Sequence, residues 1–176
     1  MENLNHIGLD KEKAAELAQK LNGLLAAYSI FYQNTRGYHW NIKGDKFFEL
    51  HQKFQDLYND LLLKIDELAE RILTLGYNPD HRYTVYVKDA QIKESEPITD
   101  GDTAVRDILQ AHKVLITMQR EILVLASEIR DEGTSALMSD YIRQQEKSVW
   151  MYSACRRGSL TSVRRTSCRQ PHPPMT

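Results

Sequence analysis

The sequence predicts an all-α fold: a four-helix bundle with a long crossover between its second and third helices. Apolar residues recur at i, i+3 and i+4 along four long stretches, and no stretch shows the two-residue alternation of a half-buried strand. A polar connection of about 25 residues, carrying Pro79 and Pro97, separates the second stretch from the third, and a bundle needs such a crossover when those helices are not hairpin neighbours. With 176 residues the chain holds one domain with a substantial core, whereas two would each be undersized.

The first helix is expected to start at Asp10 as its N-cap, with an inward series of Leu21, Leu25, Tyr28, Tyr32, Thr35 and His39. Asn41 to Gly44 interrupt the pattern. Asp45 can cap a second helix that runs without Gly or Pro to about Leu75, with Gly76 as its stop. At 1.5 Å per residue that rod is roughly 46 Å long, more than a small monomeric bundle uses. In the crossover a short helix is expected near Val85 to Ala90. Asp102 is the expected cap of the third helix, which carries Val105, Ile108, Leu109, Leu115, Ile116, Ile122 and Leu125. Gly133-Thr134 should restart the chain into a fourth helix, with Leu137, Met138, Tyr141, Ile142, Val149 and Trp150 inward and an end near Ala154.

Residues 155–176 differ in kind, being rich in Ser, Thr, Arg and Pro without apolar periodicity. They are expected to form a disordered basic tail beyond a bundle domain of residues 1–154. The tail is either an arm that touches phosphate backbones or a stretch unrelated to the fold, such as a reading-frame scar. The net charge of −1 includes its five arginines, which leaves −6 for residues 1–154. An acidic body argues against a dedicated nucleic-acid binder and is compatible with attracting cations. Both cysteines, Cys155 and Cys168, lie in the tail, so the body holds no thiol metal knuckle and no disulfide framework. No stretch is apolar enough to span a membrane and the N-terminus has no signal-peptide pattern, so the expected location is the cytoplasm.

The second helix carries more than one apolar face. Its main stripe is Phe47, Leu50, Phe54, Leu57, Leu61, Leu68, Ile72 and Leu75. Beside it runs a second strip of His51, Gln55, Tyr58, Leu62, Asp66, Glu70 and Leu73, whose natural cover is a second copy of the chain. Asp66 and Glu70, at i and i+4, can grip one cation together. His51 lies fifteen residues earlier, roughly 22 Å along the axis, whereas metal–ligand bonds span only about 2.0–2.2 Å. One chain therefore cannot bring them together, but an antiparallel copy about a two-fold axis can. His39, across the tight turn, folds back beside His51 and joins the same site. Imidazoles with carboxylates suit iron, zinc or manganese. None of the six histidines has Glu three residues before it, so the usual Glu-x-x-His site inside a single bundle is disfavoured. Plainer readings compete: each histidine as a hydrogen-bonded core residue, and Asp66/Glu70 as a solvated face bridged to Lys64 or Arg71.

These residues resemble a known family. "HWNIKGDKFFELHQKF" followed by "DELAERILTLG" is similar to the signature of the Dps family, the ferritin-like DNA-protecting proteins of starved cells, over about residues 8 to 154. The resemblance implies a ferritin-like bundle, a hollow dodecamer, oxidation of Fe(II) with hydrogen peroxide, and storage of ferric mineral. It implies that His39 and His51 from one subunit and Asp66 and Glu70 from its mate hold iron. Trp40 stands where the family has a tryptophan beside the iron, with an implied role as electron donor, and Asp131 and Asp140 resemble acids near the family's iron-entry pores. Two departures stand out. Gln55 replaces an acid four residues after His51, which leaves open whether a site holds one iron or two. The lysine-rich N-terminal arm used on DNA by some members is absent, so DNA binding is not expected of the body and falls to the tail. The alternative function is a non-enzymatic DNA-compacting or structural helical oligomer.

Overall fold

The computed structural model describes residues 3–163, with side chains described through Cys155. Five helices account for most of it: α1 (Lys11–Asn41), α2 (Phe47–Thr74), α3 (Tyr83–Asp89), α4 (Gly101–Glu128) and α5 (Glu132–Val163). An isolated bridge between Leu4 and Asp10 is the only β-structure among the described residues. Helices α1 and α2 form one antiparallel hairpin and α4 and α5 another, with α1 packed on α4. The crossover carries α3 along the flank of α1.

Asp10 caps α1, its carboxylate accepting from the Lys13 N–H at 3.0 Å, as its position predicts. The expected caps of the next two helices are corrected. Asp45 does not cap α2, because Gly44 to Phe47 close a turn through a Phe47 N–H to Gly44 C=O bond of 3.0 Å, with Gly44 at φ +101°. That turn already satisfies the first amide and places Lys46 at the helix boundary. For α4 the cap is Asp100 rather than Asp102, since its carboxylate accepts both the Thr103 N–H (2.8 Å) and the Thr103 hydroxyl (2.7 Å). Gly76 ends α2 as expected: it lies at φ +93° and bonds to Leu73, while Tyr77 bonds to Ile72, the paired pattern of a left-handed helix stop.

The α4–α5 junction uses the same device without glycine. Arg130, at φ +60°, donates to Ser127, and Asp131 donates to Ala126. Helix α5 then starts at Glu132, one residue before the expected Gly133-Thr134, with Asp131 as its boundary. It also continues to Val163, past the expected end at Ala154, because no proline interrupts the backbone ladder before Pro171. Residues 164–176 of the expected tail lie outside the described residues.

The core follows the predicted stripes with two exceptions. Trp150 is exposed rather than inward. Lys64 is buried in the α2 stripe, its ammonium held by the Asp60 carboxylate and, at 2.9 Å, by the Gln144 side-chain oxygen. At mid-bundle the Tyr28 hydroxyl accepts from the amides of Gln119 (2.8 Å) and Gln145. Burial pushes that phenol far above its usual range, so it stays neutral. Near the α1–α2 turn, Gly101 lets α4 begin against Leu50: a Cβ there would sit 2.5 Å from the leucine Cδ1.

A non-glycine residue in the left-handed region costs about 1 kcal/mol. Arg130→Gly is therefore expected to raise the midpoint of denaturant unfolding with an unchanged slope, and a lowered midpoint would show that Arg130 makes contacts worth more than its backbone strain.

Candidate metal centre

The last turn of α1 and the second turn of α2 meet across the 42–46 connection. Its geometry is tight: the Lys43 N–H donates to Thr99 C=O at 3.0 Å, which ties the turn to the end of the crossover. This brings His39 and His51 into one stack, with ring centroids 3.7 Å apart and planes 24° from parallel. Nδ1 of His39 lies 2.8 Å from the carbonyl oxygen of His51, and Nδ1 of His51 lies 2.8 Å from the carbonyl oxygen of His39. A carbonyl only accepts, so each Nδ1 carries the proton and donates it. In the neutral ring this tautomer puts the lone pair on Nε2, the form in which imidazole binds metal. His51 thereby also satisfies a carbonyl in the last turn of α1, where no helical N–H reaches.

Rings surround the pair. Phe47 stacks on His51 at 5.0 Å, and Tyr58 meets His39 edge-on at 5.3 Å. Tyr32 meets Tyr58 edge-on at 6.1 Å. Gln55 is half-buried, one turn from His51, and offers only a neutral amide. Trp40 is 57% exposed, with the Arg36 guanidinium carbon 4.7 Å from its ring centre and 5.5 Å from that of Tyr32.

Asp66 and Glu70 lie at the other end of α2, which is unbroken between them and His51, so the separation of roughly 22 Å is enforced by helix rise. Accordingly, no cluster of three or more His, Cys, Asp or Glu side chains positioned for a metal occurs among the described residues. Both carboxylates are exposed. The two cations that were candidates to neutralise them are engaged elsewhere. Lys64 turns inward to Asp60 and Gln144, over the Tyr141 ring. Arg71 donates to Asp131 at 2.5 Å and to the Thr134 hydroxyl at 2.8 Å. Among the described residues neither Asp66 nor Glu70 has an ion-pair partner. On the same strip Leu62 and Leu73 are about half exposed, at 49% and 53%.

The Arg71 contact corrects the reading of Asp131. This residue is buried and receives hydrogen bonds from Thr134 and Arg71 rather than lining an acidic surface. Burial pushes its carboxyl up, but the Thr134 and Arg71 hydrogen bonds outweigh that and hold it below the usual carboxylate range. Asp140 is exposed and pairs with Arg143 at 2.8 Å. Sequence reading also passed over His112, which fills the plain role of a core histidine. It lies edge-on to Phe31, its Nε2 is 3.2 Å from the Ser148 hydroxyl, and burial pushes its pKa down to about 4.

Two antiparallel helix hairpins joined by a long crossover, with imidazoles and carboxylates on the first hairpin, define a ferritin-like bundle. Residues 18–157 match the ferritin family, described as a ferritin-like domain. A crystal structure of a Dps protein from Vibrio cholerae O1, described as a member of a broad superfamily of ferritin-like diiron-carboxylate proteins, superposes with a TM-score of 0.85 at 57% identity, covering 86% of this chain and 96% of that one. A DNA protection during starvation protein of Porphyromonas gingivalis is 40% identical over 147 residues, 84% of this chain and 92% of its own. An uncharacterized Haemophilus influenzae protein is 54% identical over 84% of this chain and 92% of its own. The chain belongs to the Dps family of ferritin-like proteins. No helix among the described residues is long and apolar enough to cross a membrane.

Removing one partner of a buried ion pair strands the other, so Asp131→Asn is expected to cost about 2–3 kcal/mol at pH 7. A carboxyl whose pKa is depressed by folding stabilises the protein above its unfolded pKa, and that contribution is lost as pH falls through the folded value. The stability gap between wild type and Asp131→Asn should therefore close below about pH 4, as read from urea unfolding across pH.

Proposed function

We propose that this chain is an iron-storing ferroxidase. Fe(II) binds between two-fold-related copies, its electrons pass to hydrogen peroxide, and ferric mineral collects inside a hollow homo-oligomer of twelve chains in the cytoplasm. The observation that carries this reading is the stacked His39–His51 pair, each Nδ1 bonded to the other residue's carbonyl where α1 meets α2, with α2 also carrying an acid pair that has no ion-pair partner among the described residues. Two neutral imidazoles and two carboxylates carry a summed charge of −2, which one Fe(II) balances, and this mixed donor set suits Fe(II) better than calcium or magnesium. His39 and His51 of one copy would hold the iron with Asp66 and Glu70 of its mate, and Trp40 would supply electrons to oxidising by-products. Supplying peroxide with both of the electrons it needs from iron avoids releasing hydroxyl radical, which makes the reaction protective.

An antiparallel pair of helices is what this division of ligands requires, and Leu62 and Leu73 give the strip the apolar surface such a contact buries. The support for protection as well as storage comes from membership of the Dps family together with this donor chemistry.

Anaerobic Fe(II) binding followed by rapid oxidation on adding peroxide is the expected behaviour, and a wild-type assembly that oxidises iron no faster than buffer defeats the reading. Complementation locates the site. Chains carrying His39→Ala and His51→Ala, and chains carrying Asp66→Asn and Glu70→Gln, should each be inactive. Reassembled from an equal mixture, they should regain roughly a quarter of the sites, since half the two-fold pairs are mixed and each mixed pair restores one. A strip that only fixes the dimer register would tolerate the acid substitutions.

A further inference from the structure

On the side of α2 opposite the His51 strip, α2 and α5 stand apart and leave a cleft of about 370 Å³ between them. Its walls are apolar, with Leu50 and Leu57 from α2 and Met151 and Tyr152 from α5. The Tyr152 hydroxyl bridges the two helices by donating to Lys53 C=O at 3.4 Å. Small-molecule sites occupy roughly 300–1,000 Å³ and combine such walls with a few placed polar groups. Here those groups are Ser148 and the buried His112 of α4. His112 Nε2 lies 3.2 Å from the Ser148 hydroxyl, while its Nδ1 is buried with no hydrogen-bond partner. A buried N–H without an acceptor costs more than a bare lone pair, so the ring proton belongs on Nε2, which donates it to Ser148. The Ser148 O–H is then a spare donor, since no other group among the described residues accepts from it.

The pair is not a nucleophile with its base. Burial pushes the His112 pKa down to about 4, and no carboxylate orients its second nitrogen. It presents a neutral donor beside apolar walls. At the rim Lys53 pairs with Asp56 at 3.2 Å and Asp60 holds Lys64, which leaves Glu49 as the lining charge without an ion-pair partner among the described residues. A carboxylate ligand would be repelled by Glu49 and desolvated against the walls, and an ammonium would face a floor that offers a donor. We propose that this cleft binds a small uncharged molecule with an apolar body and one acceptor oxygen, a ketone or related carbonyl compound, whose oxygen accepts from the Ser148 hydroxyl. The site lies apart from the iron centre and does not depend on it.

Equilibrium dialysis of the intact assembled protein against four probes tests this. 2-Acetylnaphthalene carries the ketone, 2-ethylnaphthalene has nearly the same shape without the oxygen, and 2-naphthoate and 2-naphthylmethylamine carry a charge in its place. The ketone is expected to bind, the hydrocarbon about three- to tenfold more weakly for want of one hydrogen bond, and both charged probes more weakly still. Ser148→Ala should lower ketone affinity to that of the hydrocarbon and leave the hydrocarbon unchanged, a loss of preference that general loosening of the bundle would not produce. Met151→Trp, at a position that is 49% exposed, should fill the cleft and abolish binding of both without shifting the unfolding midpoint. Equal binding of ketone and hydrocarbon in wild type, a preference that survives Ser148→Ala, binding that Met151→Trp leaves intact, a charged probe that binds best, or no binding by any of the four overturns the proposal.

Discussion

Two backbone carbonyls, each accepting from the other residue's imidazole, hold the candidate centre together. The His39–His51 exchange resolves a conflict that any buried histidine faces, because its polar nitrogens need partners while a ligand must keep one of them free. Here the partner is backbone, which cannot protonate and cannot swing away, so the tautomer is set before any metal arrives. The neighbouring features serve that exchange. The Gly44 turn brings the two helix ends close, Lys43 fastens the turn to Thr99, and Gly101 makes room for Leu50 beside His51. Preorganisation of this kind lowers the ordering cost that binding would otherwise carry.

The second constraint is electrostatic and runs the length of α2. Lys64 and Arg71 face α5, while Asp66 and Glu70 face away from it. Surface bridges from Lys64 or Arg71 to Asp66 or Glu70 would be worth a few tenths of a kcal/mol each, less than the part-buried contacts that Lys64 and Arg71 make with Asp60, Gln144, Asp131 and Thr134. The interior contacts win, and the acid pair is left without local compensation. Gly133 belongs to this arrangement, since a Cβ there would lie 2.7 Å from an Arg71 guanidinium nitrogen. The same contacts remove Asp131 from the set of free surface acids.

The helices, the crossover with its short helix, and the meeting of His39 with His51 were legible because each follows from periodicity or from a turn too short to separate its ends. The caps were legible only where one candidate existed. Asp10 stood alone, whereas Asp100 and Asp102 both precede α4 and only three-dimensional reach to Thr103 distinguishes them. Lys64 was hidden because a lysine on a core stripe reads as an interruption, and of the two partners that hold its buried ammonium, Asp60 and Gln144, the second is eighty positions away. Trp150 failed on helical phase: the inward stripe of α5 runs through Met138, Tyr141, Gln145 and Tyr152, which still packs on the bundle, and that phase turns Trp150 outward. The carboxylate strip could be seen, but not that its neighbours were committed elsewhere, because sequence spacing ranks Arg71 as a partner of nearby acids and says nothing of Thr134.

An uncompensated acid pair on a half-apolar strip makes pairing of two copies conditional. Leu62 and Leu73 favour burial, and burial without a cation would leave Asp66 and Glu70 desolvated and unpaired, a cost that opposes the gain. Under the proposed sharing of ligands, a divalent cation would reverse the sign by giving the carboxylates a charged partner and the two imidazoles something to coordinate. If the four ligands are shared between copies, cation affinity and copy-to-copy affinity must rise by the same factor, because each is the other's effector in one thermodynamic cycle. On this view the chain's spare apolar strip and its unpaired charges are one device, in which the contact that builds the assembly and the contact that captures the metal cannot be varied independently.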